Sequence, residues 1–382
     1  MLPCFPFQTF QSPSMRAPLP ALTSLRFFAA LFVFFSHLHF LKTTPNAGVS
    51  TLYSNVLYEG YMGVTFFFAL SGFILSYAHA GQKINRSNYA GYLSSRIARI
   101  YPAHILVLVL YVMFLIRPEP DGTLAYFVNL LFNVTLTQAF SPEAKTYFSF
   151  NAPTWSLSVE MFFYLLFPLF TLLRSRVLVL VAGVVILGKL GLAEVLPEHL
   201  HHFTMYIFAP LRLADFLAGI LLYRLFNGLK PLSTGQATAL QALSLALLAA
   251  FIALSPGVSA AHRFDLYYLG PLALIIFAFA YQNGALARAI STRPLIYLGK
   301  ASFAFYLVHQ SSIMIGQFIR FKSEVPQTLV DDINYSLFYF CISLALSALI
   351  FNYFESPAKQ LTLRLLARLR RHGTADKAST TG

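Results

Sequence analysis

The sequence predicts an all-α protein, a polytopic bundle of about 10 transmembrane helices with both termini cytoplasmic. Three observations predict it. Charged residues make up 11% of the 382-residue chain, against roughly a quarter in soluble globular domains. Hydrophobic residues make up 57% and mean hydropathy is +0.64, more apolar surface than a water-facing exterior can hide, so lipid must cover it. Apolar runs close to the roughly 20 residues that a bilayer core requires recur along the whole chain.

Taken in order, those runs lie at 22–40, 61–80, 100–116, 156–173, 177–193, 204–226, 237–254, 265–281, 301–319 and 334–354. Residues 1–20 precede them. With Pro3, Pro6, Pro13, Pro18 and Pro20 and only Arg16 as a basic residue, they read as a disordered tail, not a signal peptide, and Met15 is an alternative start. The transmembrane domain follows over 21–356. The stretch 123–140 carries Asn129, Asn133 and Gln138 without basic flanks, and reads as a re-entrant or interfacial segment. Gly191, Gly219 and Gly270 suit close helix packing. Residues 357–382 form a basic cytoplasmic tail, in which 361–371 reads as an amphipathic helix on the inner leaflet.

Charge sets the orientation. With the N-terminus inside, the inner segments carry 18 of the 27 Lys and Arg residues and the outer segments 7, while Arg26 and Arg212 fall within spans. This inside-positive bias also accounts for the net charge of +13 without nucleic acid as a partner. The 39 Phe suit lipid-facing and interhelical surface, and many of the 21 Tyr suit the headgroup level. Cys4 and Cys341 are too far apart to suggest a disulfide framework or a metal site. CxxC, HExxH and GxxxxGK[ST] strings are absent from the sequence, so neither a bound metal nor a P-loop motor is expected.

Ionisable groups within apolar runs are costly and mark functional positions. They are Arg26, His37, His39, Glu160, Arg212, Asp215 and His309. Arg26 and His37 are eleven positions apart, which places them on nearly one helix face and about 16 Å apart along the axis. Histidine suits proton transfer near neutral pH, although a lone histidine on an apolar face is more often a packed group. His39 falls about 200° from His37 on an ideal helix and reads as interfacial. Arg96 and Arg99 share a face at the inner mouth of the third span. Two readings stand there: topology anchors, or a grip on the phosphates of an anionic ligand. Pro102 suits an early helical position. Before the fourth span, Thr154 or Ser156 can cap and Trp155 can sit at the interface. Glu160, one turn further, falls at a depth similar to His37. It can bind an acceptor hydroxyl, orient a histidine or pair structurally. Arg212 and Asp215 at i,i+3 read as a structural pair. His309, near mid-membrane, can line a cavity or bond a helix carbonyl.

Five segments together resemble the membrane acyltransferase-3 family. LTSLRFFAALFVFFSHLHF carries its Arg-x10-His signature on Arg26 and His37; GVTFFFALSGFILSY resembles its second helix; SSRIARIYPAH carries Arg-x-x-Arg on Arg96 and Arg99. PTWSLSVEMFFYLLFP resembles Trp-Ser-Leu-x-x-Glu, reaching Trp155 and Glu160, and LIYLGKASFAFYLVHQ places Gly299, Ser302, Tyr306 and His309 on Gly-x-x-Ser-x-x-x-Tyr-x-x-His.

The resemblance implies transfer of an acyl group, often acetyl, from acyl-CoA to a hydroxyl of a surface or exported carbohydrate or of a small product. It implies ten helices with cytoplasmic termini in the inner membrane, and essential roles for Arg26 and His37. The expected mechanism docks the CoA phosphates at Arg96, Arg99 and Arg26 and uses His37 as general base. Glu160 orients His37 or the acceptor, and Trp155, Ser156, Tyr306 and His309 contribute to substrate binding. Acyl-CoA, a carbohydrate acceptor and membrane lipid are the expected partners. The competing readings are acylation of a secreted metabolite and a transporter of glycan or lipid precursors without chemistry.

Overall fold

The computed structural model describes residues 17–82, 84–116, 122–321 and 328–365. Most of the expected N-terminal tail, the basic residues Lys83, Arg117 and Lys322, and the tail beyond Leu365 lie outside them. Every regular element among the described residues is helical. Among the described residues seven helices are long and apolar enough to cross a bilayer, and a bent pair, Glu198–Ile207 and Ala209–Gly228, makes up to an eighth. The chain is a multi-pass membrane protein.

The principal helices are α1 (Pro20–Ser36), α2 (Gly63–Ala78), α3 (Tyr89–Leu110), α4 (Thr123–Thr135), α5 (Trp155–Leu172), α6 (Ser175–Val195), α7 (Leu213–Gly228), α8 (Thr234–Leu254), α9 (Leu266–Ala280), α10 (Arg293–Phe321) and α11 (Leu329–Ile350). Of the ten expected spans, α1 has 17 residues and is apolar but short, about 25 Å at the helical rise. Shorter irregular helical turns from Ala47 to Met62 extend α2 into one 32-residue apolar stretch. The last helix runs on through the π-helical turn Phe351–Glu355 to Leu365, across the expected boundary at 356–357. Helix α4 has 13 residues, about 20 Å, too short for a 30 Å core. It stops at Leu136, whose φ of 54° is left-handed, and the chain turns back into the protein at Gln138, which is fully buried.

The burial pattern is inverted relative to a soluble bundle. Leu180, Val184 and Leu187 on α6 and Leu243 and Leu254 on α8 point outward, as lipid-facing side chains do. Inside, α1, α2, α3, α5 and α10 surround one polar space. Close backbone approach holds α2 to α7, the most extensively packed helix pair. A Cβ on Gly72 would lie 2.1 Å from the Phe216 carbonyl oxygen, and one on Gly219 would lie 1.9 Å from that of Ala69. Only glycine admits that contact. Gly219 thus packs as expected. Gly191 and Gly270 do not: nothing lies within 4 Å of a Cβ at either.

Several local expectations change for stated reasons. Helix α1 ends at Ser36, not 40, so His39 lies in a 3-10 turn and the 200° separation from His37 does not apply. The two rings are 6.1 Å apart. Helix α3 begins at Tyr89, eleven residues before the expected start, so Arg96 and Arg99 lie about two and three turns inside it. Pro102 accordingly sits mid-helix, not in a first turn. Trp155 is buried against Tyr206 and Phe68 and does not face the interface. Thr154 occupies the N-cap position of α5 without a side-chain capping bond. Lys189, counted with an outer segment by charge, is buried in α6 against Asp265.

Candidate active site

The polar space is a cavity of about 270 Å3 whose walls come from α1, α2, α3, α5 and α10. Helical spacing aims the residues into it. Ser156, Glu160 and Tyr164 recur at i, i+4 and i+8 on α5, one stripe of that helix. Arg96 and Arg99 share a stripe on α3, and Thr23 and Arg26 share one on α1. From Ser156 to Tyr164 the helical rise spans about 12 Å, which sets the depth of the polar wall.

One end is basic. Arg26, Arg96 and Arg99 all line it. Arg96 donates from Nε to Ser95 Oγ at 3.2 Å, and its guanidinium stands 6.0 Å from the centre of the Tyr164 ring. Arg26 and Arg99 make no hydrogen bond or ion pair with any described residue. Glu160 lies within electrostatic reach of all three. It accepts from Ser71 Oγ at 3.3 Å and, by a short bond, from the Tyr164 hydroxyl. Glu355 and Lys359, from the end of the last helix, add one charge of each sign nearby. Three guanidiniums and one ammonium against two carboxylates leave two positive charges in excess, an arrangement that suits a polyanion.

The other end is closed by hydroxyls. Ser156 Oγ and the Tyr306 hydroxyl are 2.8 Å apart, and both reach the Pro153 carbonyl, at 2.9 and 3.0 Å. The Tyr306 ring packs against His309, ring centres 5.6 Å apart, and His309 stands edge-on to His37 at 4.9 Å. Neither histidine lines the cavity. Each is held by a backbone carbonyl: His37 Nδ1 lies 2.8 Å from Val33 O, and His309 Nδ1 lies 2.6 Å from Tyr306 O. A carbonyl only accepts, so each Nδ1 carries the proton and each Nε2 presents a lone pair. Nε2 of His309 is buried without a partner.

The structure therefore divides the residues singled out by sequence. Arg26, Arg96, Arg99, Ser156, Glu160 and Tyr306 meet in one cavity. His37 and His309 pair just behind its hydroxyl end. Glu160 is placed with the arginines and its hydrogen bonds run to Ser71 and Tyr164, not to His37. Trp155 does not line the cavity; it backs Phe68, which does.

Sequence reasoning passed over Tyr164 and Ser71. The i+4 spacing from Glu160 was the available signal for Tyr164; Ser71 had none, because its partner lies 89 residues away. It also passed over a buried ionic network behind the cavity wall. Lys189 and Arg212 share Asp265, and Arg212 pairs with Asp215 at 2.8 Å, as the i,i+3 spacing predicts. Arg212 also donates to Thr65 Oγ1 at 2.9 Å and stands 5.0 Å from the centre of the Phe68 ring. Nearby, Glu59 accepts from Tyr61 and Tyr268 and pairs with Arg263.

Residues 19–352 match the model of a known family, the acyltransferase-3 domain. The chain belongs to that family. It is an acyltransferase that moves groups other than aminoacyl groups. Acyltransferase MdmB of Streptomyces mycarofaciens is 30% identical to it over 321 residues, 78% of this chain and 80% of MdmB. O-acetyltransferase OatA of Staphylococcus aureus is 23% identical over 92% of this acyltransferase and 59% of its own length. A putative acetyltransferase, ORF330, of Acidianus two-tailed virus is 26% identical over 80% of this chain and 89% of ORF330. No solved structure matches the chain significantly.

Proposed function

We propose that this acyltransferase moves an acyl group, acetyl being favoured, from cytoplasmic acyl-CoA to a hydroxyl of a cell-surface or exported carbohydrate. One observation carries the reading: two guanidinium groups, Arg26 and Arg99, face a membrane-embedded cavity without a hydrogen bond or close ion pair to any described residue, and an imidazole with a bare Nε2 stands beyond its far end. Glu160 and Glu355 offset only part of the positive charge, an excess that is costly away from water, and an anionic donor supplies the missing hydrogen-bond partners. The CoA phosphates dock at Arg26, Arg96 and Arg99, and the pantetheine arm runs along the α5 stripe toward Tyr306. His37 takes the proton of the acceptor hydroxyl, and Glu160 holds Tyr164 and the arginine cluster in place. The reading sets the arginine end toward the cytoplasm and both termini with it, in the inner membrane, with about ten passages of the chain.

Names of relatives support the class of reaction: two are acyltransferases in their printed names and a third is a putative acetyltransferase. The test is CoA release from acetyl-CoA by purified protein in nanodiscs, with and without cell-envelope carbohydrate. Wild type is expected to release CoA and to add acetyl mass to the glycan, and His37→Ala to lose both. Full activity in His37→Ala ends the assignment of the base. Glycan transport without thioester loss ends the enzymatic reading of the cavity.

A further inference from the structure

The two hydroxyl protons at the hydroxyl end of the cavity have three contacts to serve and so more than one arrangement open to them. The Pro153 carbonyl receives the Trp155 N–H, Ser156 Oγ and the Tyr306 hydroxyl. A carbonyl oxygen has two lone pairs, so beside the backbone N–H it takes one hydroxyl at a time, and the other hydroxyl is free to donate to the first. The two hydroxyls also touch each other at 2.8 Å, a contact that itself uses one proton. Both side chains are buried, and both line the cavity. The Tyr306 ring is fixed by Phe67 on one side and His309 on the other, so its oxygen is held in place while its O–H can turn about the C–O bond.

We infer that the Tyr306 hydroxyl is the oxyanion donor of the transfer, with Ser156 behind it. This rests on the acyl-CoA reading above. The phenol proton turns from the Pro153 carbonyl to the thioester oxygen. Ser156 then donates to Tyr306 Oη, so a chain of two hydrogen bonds ends on the developing negative charge. Pro153 keeps its backbone donor and no buried acceptor is stranded. The acceptor oxygen bonds to the thioester carbon, the carbonyl π pair moves onto oxygen under Tyr306, and the acceptor proton passes to His37 Nε2. Collapse restores the carbonyl, breaks the C–S bond, and the CoA thiolate takes the proton from His37. The order of residues fits: the arginines at one end, the hydroxyl pair at the other, and the histidine pair one helical turn beyond Tyr306.

The test is the isotope-edited infrared spectrum of [1-13C]acetyl-CoA bound to the intact protein in nanodiscs. A donor on the thioester oxygen polarises the carbonyl, so the bound band is expected at lower wavenumber than in buffer. Tyr306→Phe, which keeps the ring, is expected to lose that shift while still binding acetyl-CoA, because the arginines are untouched. Ser156→Ala, which removes the second bond of the chain, is expected to lose part of it, and serves alone if Tyr306→Phe does not fold. An unshifted band in bound wild type, or an equal shift in a folded Tyr306→Phe, overturns the inference and leaves the donor reading standing. Failure of wild type to bind acetyl-CoA overturns both.

Discussion

At the scale of single residues, the cavity is defined by what its arginines lack. Arg212, equally cationic, is met by Asp215, Asp265, Thr65 and the Tyr206 carbonyl; Arg26 and Arg99 feel Glu160 and Glu355 at a distance but make no hydrogen bond or close ion pair among the described residues. The contrast separates an arginine satisfied within the protein from two left open to a ligand under the proposed function, and residue type alone could not. A charge-assisted hydrogen bond contributes about 1.5–3 kcal/mol. Arg99→Ala or Arg26→Ala is therefore expected to weaken acetyl-CoA binding by about 10- to 100-fold, measured by calorimetry on the nanodisc protein. Affinity equal to wild type in both would remove the arginines from the donor site. The Arg-x10-His spacing was legible because eleven residues is close to three whole turns. That α1 stops at Ser36, and that the His37 ring turns back to Val33 O and against His309, was not legible, because a span hydrophobic to residue 40 carries no stop signal in its pattern.

At the scale of elements, the cavity exists because some helices touch at their backbones while others are held apart by large side chains. Gly72 and Gly219 bring α2 onto α7, and Gly299 brings α10 onto α1, where a Cβ would lie 1.9 Å from Thr23 O. The polar side chains of α3 and α5 then face the gap that remains. Gly219→Ala is expected to lower stability by about 1–3 kcal/mol, the usual range for overpacking, read as an earlier thermal unfolding midpoint in detergent. Gly191→Ala, on the lipid side of α6, is expected to leave that midpoint unchanged or raise it slightly. Equal midpoints for Gly219→Ala and wild type would contradict the close approach. The sequence marked Gly219 as a packing glycine and marked Gly191 and Gly270 in the same way. Spacing cannot tell a helix face turned to a neighbour from one turned to lipid.

At the scale of the whole molecule, the bundle carries a four-charge network, Lys189, Asp265, Arg212 and Asp215, that is neutral in sum and buried. It joins α6, the start of α7 and the N-terminus of α9, and through Thr65 and Phe68 it braces the α2 wall of the cavity. Breaking a buried pair on one side leaves an uncompensated charge, at a cost of about 3–5 kcal/mol. Lys189→Met is accordingly expected to destabilise the protein strongly, and Lys189→Met combined with Asp265→Asn to recover part of the loss. Unfolding midpoints of the two variants in detergent check this, and a single variant as stable as wild type would show the pair to be dispensable. The network also explains one miss in the charge count. Lys189 added to the outer total as though it were a loop anchor, whereas its neutralising partner lies 76 residues away.

Composition and the recurrence of apolar runs determined the class of this protein, because a chain with so few charges has no stable arrangement in water. Five spaced motifs determined the family and most of the polar residues that line the cavity, since helical periodicity maps sequence intervals onto faces. Only the tertiary structure decided which of those faces look at one another. It placed Glu160 with the arginines, set the histidines behind Tyr306, and paired Lys189 with Asp265. Each of these depends on contacts between residues far apart in the chain, and local pattern carries no term for which distant helix supplies the partner.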